Sequence, residues 1–378
     1  MRYKILFLSS WFPNKLEPTN GNFVQRHAES VSLLHDVEIL HAIGNHTQPK
    51  KFVFDDQQIN GIRTLIVYYK NSNNPLQNFL RRMIAYKKGF SIMNPPDLVH
   101  ANVMQKSMLF AVYLKLKLKI PFVVTEHWSG FLQMNRFKLS KSDLFISKII
   151  SKNSSAVLPV SNFLKRDLND NTLNTKTEVV ENVVDTKLFK VKDSEPEVFT
   201  FLHISNLIQL KNPEKIINVA VLLSKEFNNF ELHIGGDGDV EKLNEFIRKA
   251  KAESFIKTFG TLELYEVAVK MRSSSCFILF SDYENFPCVL LESLSSGTPA
   301  IATKVGGIPE IINASNGILI SNSDLELYNA MKDMLLQNST FKSPADLHQS
   351  VEDRFSKQVI AEKFDKIYQE TMQEFQAS

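Results

Sequence analysis

The sequence contains only two cysteines, Cys276 and Cys288, and both fall in short apolar runs. Neither has the spacing of a metal site, and two cysteines cannot build a disulfide framework. We therefore expect two buried, inert thiols in a protein of the reducing cytoplasm.

The chain also lacks a long hydrophobic run. No apolar segment approaches the roughly 20 residues that cross a bilayer. The apolar stretch at residues 5–9 is too short for the core of a signal peptide, and no small-residue cleavage site follows it. It is typical of a first buried strand instead. Short-period repeats, heptad arrays and low-complexity segments are missing as well.

What the chain does have is a regular alternation of short apolar runs and helix-length amphipathic segments. The strand-like runs are 5–9, 37–41, 64–68, 98–100, 122–125, 156–160 and 178–180 in the first half, and 200–204, 231–234, 255–258, 276–280 and 299–302 in the second. This alternation is typical of α/β proteins with parallel sheets built from βαβ units.

A chain of 378 residues has the length of two domains. We expect two Rossmann-like, doubly wound domains that face each other across a cleft, with ligands at the carboxyl ends of the strands. The predicted boundaries are 1–184 for the first domain, 185–198 for a linker of mixed charge, 199–355 for the second domain and 356–378 for a final amphipathic helix.

The net charge of +3 hides an uneven distribution, because basic residues predominate in 1–184 and acidic residues in the remainder. The clustered basic residues are Arg81, Arg82, Lys87 and Lys88, then Lys115, Lys117 and Lys119, and then Lys138, Lys141, Lys148 and Lys152. Two interpretations remain open: solvated helix faces, or a surface for an anionic partner such as membrane head groups or an anionic acceptor. Nucleic acid is disfavoured, since neither a recognition-helix motif nor an aromatic RNA-binding motif is present.

Two carboxylates, Glu284 and Glu292, flank a predicted strand-to-helix junction. The strand covers 276–280, and the helix is predicted to begin at Pro287 because proline fits the first helical turn. Glu284 then lies in the loop and Glu292 in the helix. The positive end of a helix attracts anions. Two acceptors for sugar hydroxyls beside an anion site predict a ligand that is part sugar and part phosphate.

Further motifs follow other predicted strands of the second half. Lys211 opens the helix after 200–204, where a lysine is either solvated or neutralises a phosphate. Gly235 to Gly238 follow 231–234 and predict a tight turn with room for a ligand, not a dinucleotide fingerprint, because the third glycine and the partner acid are missing. The loop from Gly260 to Leu262 is a weak candidate for backbone contacts to a flat base.

Taken in order, these motifs resemble the donor domain of the family 4 retaining glycosyltransferases, which have the GT-B fold. The matching positions are Lys211, Gly235 to Gly238, Gly260, Glu284 through Glu292, Gly297-Thr298-Pro299, Gly306 through Glu310 and Asn316-Gly317. In the first half, Asn20-Gly21-Asn22-Phe23 resembles the family's glycine loop, and Thr125-Glu126-His127 stands where the family has its active-site histidine.

The resemblance implies retaining transfer of a sugar from a nucleotide-sugar donor to an acceptor hydroxyl, with no metal or other cofactor required. Glu292 would bind the ribose and Glu284 the donor sugar. Lys211 would hold the diphosphate, Gly21 would let a loop approach it, and His127 would contact the sugar near the reacting carbon. The remaining donor-binding positions implied by the resemblance are Asn206, Gly235, Gly260, Leu262 and the backbone of Asn285, Phe286, Pro287, Cys288 and Val289.

This chain departs from the family at Asn206, where many members have an arginine that clamps the diphosphate. The lost charge would weaken stabilisation of the leaving group. Asn285 also stands where glycine is common, and asparagine tolerates a left-handed backbone.

Three functions therefore stay open. The first is an active glycosyltransferase of bacterial-type cell-surface polysaccharide or glycolipid synthesis, cytoplasmic and held on the inner membrane face by its basic domain. The second is a catalytically weak nucleotide-sugar-binding subunit. The third is a GT-B nucleotide-sugar epimerase.

Overall fold

Two mainly parallel sheets organise the chain, each in its own unit. The computed structural model describes residues 1–133, 135, 139–170 and 176–377. Unit 1 comprises Met1–Val183 together with Lys357–Ser378, and unit 2 comprises Val184–Ser356. The segment predicted as a linker lies in unit 2, where Phe189 is buried and its carbonyl accepts a hydrogen bond from Ser295 at 2.6 Å. Lys138 lies outside the described residues.

The sheet of unit 1 contains seven strands in the described residues. They are β1 (Lys4–Ser9), β2 (Asp36–Asn45), β3 (Phe52–Ile59), β4 (Ile62–Lys70), β5 (Leu98–Asn102), β6 (Phe122–Glu126) and β7 (Val157–Pro159). Their order is β3-β4-β2-β1-β5-β6-β7, and only β3 is antiparallel to its neighbour among these strands. β1 is therefore central in the sheet, with β2 on one side and β5 on the other.

The sheet of unit 2 contains six parallel strands, counted over the same described ranges. They are β8 (Phe199–Ser205), β9 (Phe230–Gly236), β10 (Ile256–Phe259), β11 (Cys276–Leu279), β12 (Ala300–Thr303) and β13 (Gly317–Ile320). The order β10-β9-β8-β11-β12-β13 reverses direction between β8 and β11. Crevices at such a reversal are where doubly wound sheets bind ligands.

Helices connect the strands of both sheets. They are α1 (Asn22–Val31), α2 (Pro75–Phe90), α3 (Leu109–Leu118), α4 (Lys141–Asn153), α5 (Asn162–Asp170), α6 (Pro213–Leu223), α7 (Val240–Ala250), α8 (Leu264–Arg272), α9 (Cys288–Ser295), α10 (Asp324–Leu335), α11 (Pro344–Phe355) and α12 (Lys357–Gln376). Within the described part of the chain, no helix has the length and apolarity needed to cross a membrane.

The sequence predicted most strands of both sheets, with one wrong addition. Residues 178–180 are not a strand: Glu178 and Val180 donate to the carbonyls of Val157 and Pro159, but only Thr177 forms a bridge with β7. The structure adds β3, β13 and α11, none of which was predicted. β3 lies at the edge of its sheet and carries polar residues in its second half, so it has no continuous apolar run.

Buried histidines lie where α12 packs against the rest of unit 1. The ring of His27 contacts Phe364 edge-on at 5.1 Å, and Nδ1 of His100 lies 2.5 Å from the hydroxyl of Tyr368. Burial lowers the pKa of His27 to about 4 and that of His100 well below its ordinary value. These rings are therefore neutral at pH 7, and an imidazolium would have no solvent there.

We predict that the protein loses stability as the pH falls below 6.5. In the unfolded chain, histidine side chains have a pKa of 6.5. In the folded state, burial lowers the pKa values of His27, His41 and His203 to about 4. At pH 5 each of the three is expected to cost about 2 kcal/mol. Denaturant unfolding at pH 7.5 and pH 5 measures the difference. An unchanged free energy of unfolding between the two would contradict the prediction.

Candidate active site

The loops that follow β8 and β11 meet at the reversal of the sheet in unit 2. Lys211 lies in the short 3-10 turn after β8, and Glu284 lies in the loop after β11. Nζ of Lys211 donates to Oε1 of Glu284, and the two side chains are only 17% and 12% exposed. An ion pair this well shielded is screened much less by salt than a surface pair. The cation and the carboxylate predicted from sequence are therefore in direct contact.

Asp282 ties three loops together at the same edge. Its Oδ1 accepts hydrogen bonds from the side-chain amides of Asn212 at 2.6 Å and Asn322 at 2.8 Å. Its own N–H donates to the carbonyl of Leu210 at 2.9 Å. The loops after β8, β11 and β13 are thus fixed to one another, and this network holds the Lys211 and Glu284 backbones in register.

A glycine after β12 completes the packing around Glu284. Gly306 has a left-handed backbone, with a φ of +54°, and a Cβ at this position would collide with the carbonyl oxygen of Glu284. Only glycine combines that conformation with so close an approach. Gly306 is therefore a support for the Glu284 loop.

Glu292 lies in α9 and is buried, with 5% of its surface exposed. The prediction that this helix begins at Pro287 was wrong by one residue. Pro287 is the N-cap, with an extended ψ of 115°, and the helix begins at Cys288. Phe286 precedes this junction and packs its ring 5.7 Å from that of Phe355. The junction between Glu284 and Glu292 is therefore anchored by an apolar contact to α11.

The two cysteines differ in burial, so the expectation that both are buried was wrong. Cys276 is fully buried in β11, and burial raises the pKa of its thiol to about 12. Cys288 is half-buried at the first position of α9. The first turn of α9 lies at the carboxyl edge of the sheet, where packing is less complete than in β11.

The glycines at the end of β9 and just after it have a packing reason. A Cβ on Gly235 would collide with the carbonyl of Phe259 in β10, and one on Gly238 would lie 2.7 Å from the carbonyl of Asn206. Gly235 therefore lets β9 and β10 approach closely, and Gly238 lets the loops after β8 and β9 approach closely. Asn206 itself is exposed. The predicted contact of these positions with a donor stays a prediction.

The remaining second-half positions are placed as follows. Gly260 is exposed, and a Cβ added there would have no neighbour within 4 Å. Leu262 is half-buried just before α8. Asn285 is not among the described non-glycine residues with a positive φ. The family's glycine can therefore be replaced there without left-handed strain, which is a simpler reason than the predicted tolerance of asparagine.

In unit 1, Gly21 lies directly before α1 and presses on the loop after β1. It has a φ of +76°, and a Cβ there would lie 2.7 Å from the backbone nitrogen of Phe12. Phe23, two residues later, packs its ring 4.2 Å from that of His127. The glycine loop and the histidine predicted from sequence are therefore neighbours at the carboxyl edge of this sheet.

His127 follows β6 directly and is nearly buried. Its ring lies 5.4 Å from that of His27. Burial and the neighbouring histidines lower its pKa well below the ordinary value. The ring is neutral at pH 7, so it can exchange hydrogen bonds with a ligand but cannot supply a positive charge.

Glu126, the last residue of β6, fixes the loop that carries His127. It is fully buried, and its carboxylate accepts hydrogen bonds from the backbone N–H groups of Met104 at 2.7 Å and Trp128 at 2.6 Å. Burial raises its pKa to about 7. Val103, beside Met104, has a φ of +67°, which is a strained conformation for a β-branched residue. The strained backbone of Val103 and the buried carboxylate of Glu126 indicate that the surrounding structure fixes the geometry of the loop around His127.

The comparisons with known proteins identify the family. The model described as "Glycosyl transferases group 1" matches residues 184–354, and "Glycosyltransferase Family 4" matches residues 22–188. The chain belongs to the family 4 glycosyltransferases. It is an enzyme with the GT-B fold, and the resemblance seen in its motifs is confirmed.

Relatives and solved structures agree with this assignment. The enzyme is 25% identical to an uncharacterized glycosyltransferase of Methanocaldococcus jannaschii over 84% of its own length and 88% of the relative. It is 27% identical to the lipopolysaccharide 1,6-galactosyltransferase of Escherichia coli over 74% and 78% of the two chains. The crystal structure of Anabaena HepE in complex with UDP-glucose superposes with a TM-score of 0.73 at 18% identity, over 98% of this enzyme and all of that chain.

Two parts of the site were not found from the sequence of the enzyme. Asp282 precedes the predicted Glu284 loop, and nothing in its sequence neighbours indicates that Asn322 would reach it. Glu126 entered the prediction only as the residue before His127. One signal was available for Glu126, which is a charged residue at the end of an otherwise apolar strand. A carboxylate buried there needs hydrogen-bond partners, so it predicts a fixed loop nearby.

We predict that Gly306→Ala destabilises the enzyme by about 2 kcal/mol, because the new Cβ would push the Glu284 loop away and strain the left-handed backbone. Gly260→Ala is the matched control, since the space around Gly260 is open. Urea unfolding of both variants measures the effect. Equal stability of the two variants would show that the glycine support has no energetic role.

We predict that Glu126→Gln lowers activity and removes an acidic limb from its pH profile. The carboxylate accepts two N–H groups when it is charged, and it takes up a proton near pH 7. Glutamine offers one acceptor oxygen and turns an N–H group toward a donor, at a cost of about 1–3 kcal/mol. The wild-type rate should fall below pH 7 and the variant rate should not. A variant profile with the same acidic limb would assign that limb to another group.

Proposed function

We propose that the enzyme is a retaining glycosyltransferase that moves a sugar from a nucleotide-sugar donor to an acceptor hydroxyl, in the synthesis of a cell-surface polysaccharide or glycolipid. Its donor would bind in unit 2, at the reversal between β8 and β11. The acceptor would be a sugar or a lipid-linked sugar, and the basic unit 1 would hold the enzyme at an anionic membrane.

The observation that carries this proposal is the contact between Lys211 and Glu284. The ammonium and the carboxylate satisfy each other at the carboxyl edge of the sheet, which is where doubly wound domains bind ligands. A diphosphate would draw the ammonium to itself, and Glu284 would then accept hydrogen bonds from sugar hydroxyls. The two members of one ion pair would therefore bind the two parts of such a ligand, Lys211 the phosphate and Glu284 the sugar.

Departure of the nucleoside diphosphate would depend on Lys211. The bond from the sugar to the diphosphate breaks, and the negative charge that develops on the leaving oxygen needs a positioned cation. Asn206 cannot supply one. The first turn of α9 would add its backbone N–H groups, from Cys288 onward, to the same phosphates. We assign the neutralisation of charge to these groups and propose no metal.

The two remaining side chains have distinct roles in the proposal. Glu292, buried in α9, would accept hydrogen bonds from the two ribose hydroxyls. His127 of unit 1 would exchange a hydrogen bond with the donor sugar as a neutral imidazole, held in place by Glu126 and by the ring of Phe23. The HepE complex with UDP-glucose supports a uridine nucleotide as the first donor to test.

We predict opposite effects of the two carboxylates on the binding of free UDP. Glu292→Gln leaves one neutral acceptor oxygen for two ribose hydroxyls and should weaken binding by about tenfold or more. Glu284→Gln frees Lys211 for the diphosphate and should raise affinity about fivefold, which corresponds to the ~1 kcal/mol of an ion pair. Calorimetry with folded variants measures both, and Glu245→Gln on the exposed side of α7 is the matched control. Wild-type affinity in Glu292→Gln would overturn the ribose assignment.

Turnover tests the proposal as a whole. The enzyme is incubated with UDP-, GDP- and ADP-sugars and a mixture of acceptors, and the anomeric configuration of the product is read by NMR. A product with the anomeric configuration of the donor supports retention, and an inverted product contradicts it. Because Asn206 replaces a cation, binding without transfer to any acceptor would favour a sugar-nucleotide-binding protein of low activity.

A further inference from the structure

The outward side of α2 is apolar where a solvated helix is normally polar. Leu76, Leu80 and Ile84 are spaced four residues apart, so they form one stripe along the helix, and they are 67%, 52% and 42% exposed. Lys87 and Lys88 continue the exposed side into the last turn. The buried side of the same helix contains Ala85, Tyr86 and Gly89. The helix is therefore amphipathic twice over, with an inner apolar face and an outer apolar stripe.

The same pattern continues on the next two helices of unit 1. In α3 the exposed apolar residues are Tyr113, Leu116 and Leu118, and in α4 it is Phe145, at 65% exposure. Phe110 of α3 packs its ring 5.5 Å from Tyr86 of α2, and Nζ of Lys115 in α3 donates to the backbone carbonyl of Asn153 at the end of α4. The three helices are therefore neighbours, and we call their exposed residues the α2–α4 face.

The charge of this face is predominantly positive. The three helices, all fully described, contain four Lys and Arg in α2, two in α3 and three in α4. Their sequences contain one acid, Asp143, which is paired with Lys106 at 3.2 Å. The exposed residues of α4 include Lys141, Lys148 and Lys152 around Phe145. Apolar side chains on this face are thus surrounded by unpaired positive charge.

We propose that the α2–α4 face docks on an anionic lipid bilayer. Stable attachment to a membrane surface needs two signals, and this face has both: aliphatic and aromatic side chains that enter the interface, and lysines that bind anionic head groups. A soluble polyanion would use the lysines only and would leave Leu76, Leu80 and Ile84 in water. The exposed apolar stripe is therefore what selects a lipid surface over other anionic partners.

The α2–α4 face would be the part of the enzyme that makes the membrane contact of the proposed function. The purpose of docking rests on that function, but the docking itself does not. Lipid binding requires neither donor nor turnover, so the two proposals can fail separately. Docking through unit 1 leaves the donor site of unit 2 chemically untouched.

The test is flotation of the full chain with vesicles of phosphatidylcholine, with and without phosphatidylglycerol. Leu76→Gln with Leu80→Gln removes apolar anchors, and Lys87→Glu with Lys88→Glu reverses charge. Each double variant should lower binding to the anionic vesicles by roughly tenfold or more. The matched controls lie in unit 2: Leu325→Gln with Leu336→Gln, which are 68% and 49% exposed, and Lys225→Glu with Lys249→Glu. Both controls should bind vesicles as the wild type does.

The outcomes are distinguishable. Wild-type binding to anionic vesicles only, lost in both α2 variants while their UDP binding is unchanged, supports the proposal. Equal binding to vesicles with and without phosphatidylglycerol overturns it, and so does vesicle binding that both α2 variants retain. Binding to dextran sulfate that is as tight as binding to vesicles, and is insensitive to the leucine changes, would assign the face to a polyanion instead.

Discussion

The reversal of strand order between β8 and β11 is the constraint on which the proposed donor site depends. Two neighbouring parallel strands send their connections to opposite sides of the sheet, so the loops at their carboxyl ends separate and leave a crevice. Polar side chains from the two loops can meet in that crevice. Lys211 lies in the loop after β8 and Glu284 in the loop after β11, and Asp282 and Gly306 fix these loops.

This architecture explains which parts of the enzyme could be predicted from sequence. Strands buried on both faces are continuous apolar runs, so β1, β8 and β11 could be recognised without the structure. The edge strand β3 could not, because half of its residues are polar and its pairing depends on β4. The α11 helix follows a short link after α10 and carries a mixed polar pattern, so its apolar contacts, such as Phe355 with Phe286, appear only in three dimensions.

The site divides in the same way. Glu284, Glu292 and Lys211 could be selected because each residue type matches a chemical task at a strand or helix end. The pairing of Lys211 with Glu284 could not, since it joins positions that are 73 residues apart in the chain. Glu126 and Asp282 were missed for a related reason. Their partners are backbone N–H groups and amides of distant loops, and a linear pattern carries no trace of those. Asn285 is the opposite case, because the sequence drew attention to a departure from the family that has no conformational cost in the structure.

The course of the chain through its two units has a consequence for biosynthesis. Unit 1 is interrupted after Val183 and resumes at Lys357 with α12, so the whole of unit 2 is synthesised in between. The rings of His27 and His100, which α12 covers, stay open until the final helix leaves the ribosome. Unit 2 can complete its core first, whereas the first segment to be made is the last to close. A chain that stopped before α12 would have a complete unit 2 and an incomplete unit 1. The apolar surface left exposed on unit 1 could then be recognised by chaperones.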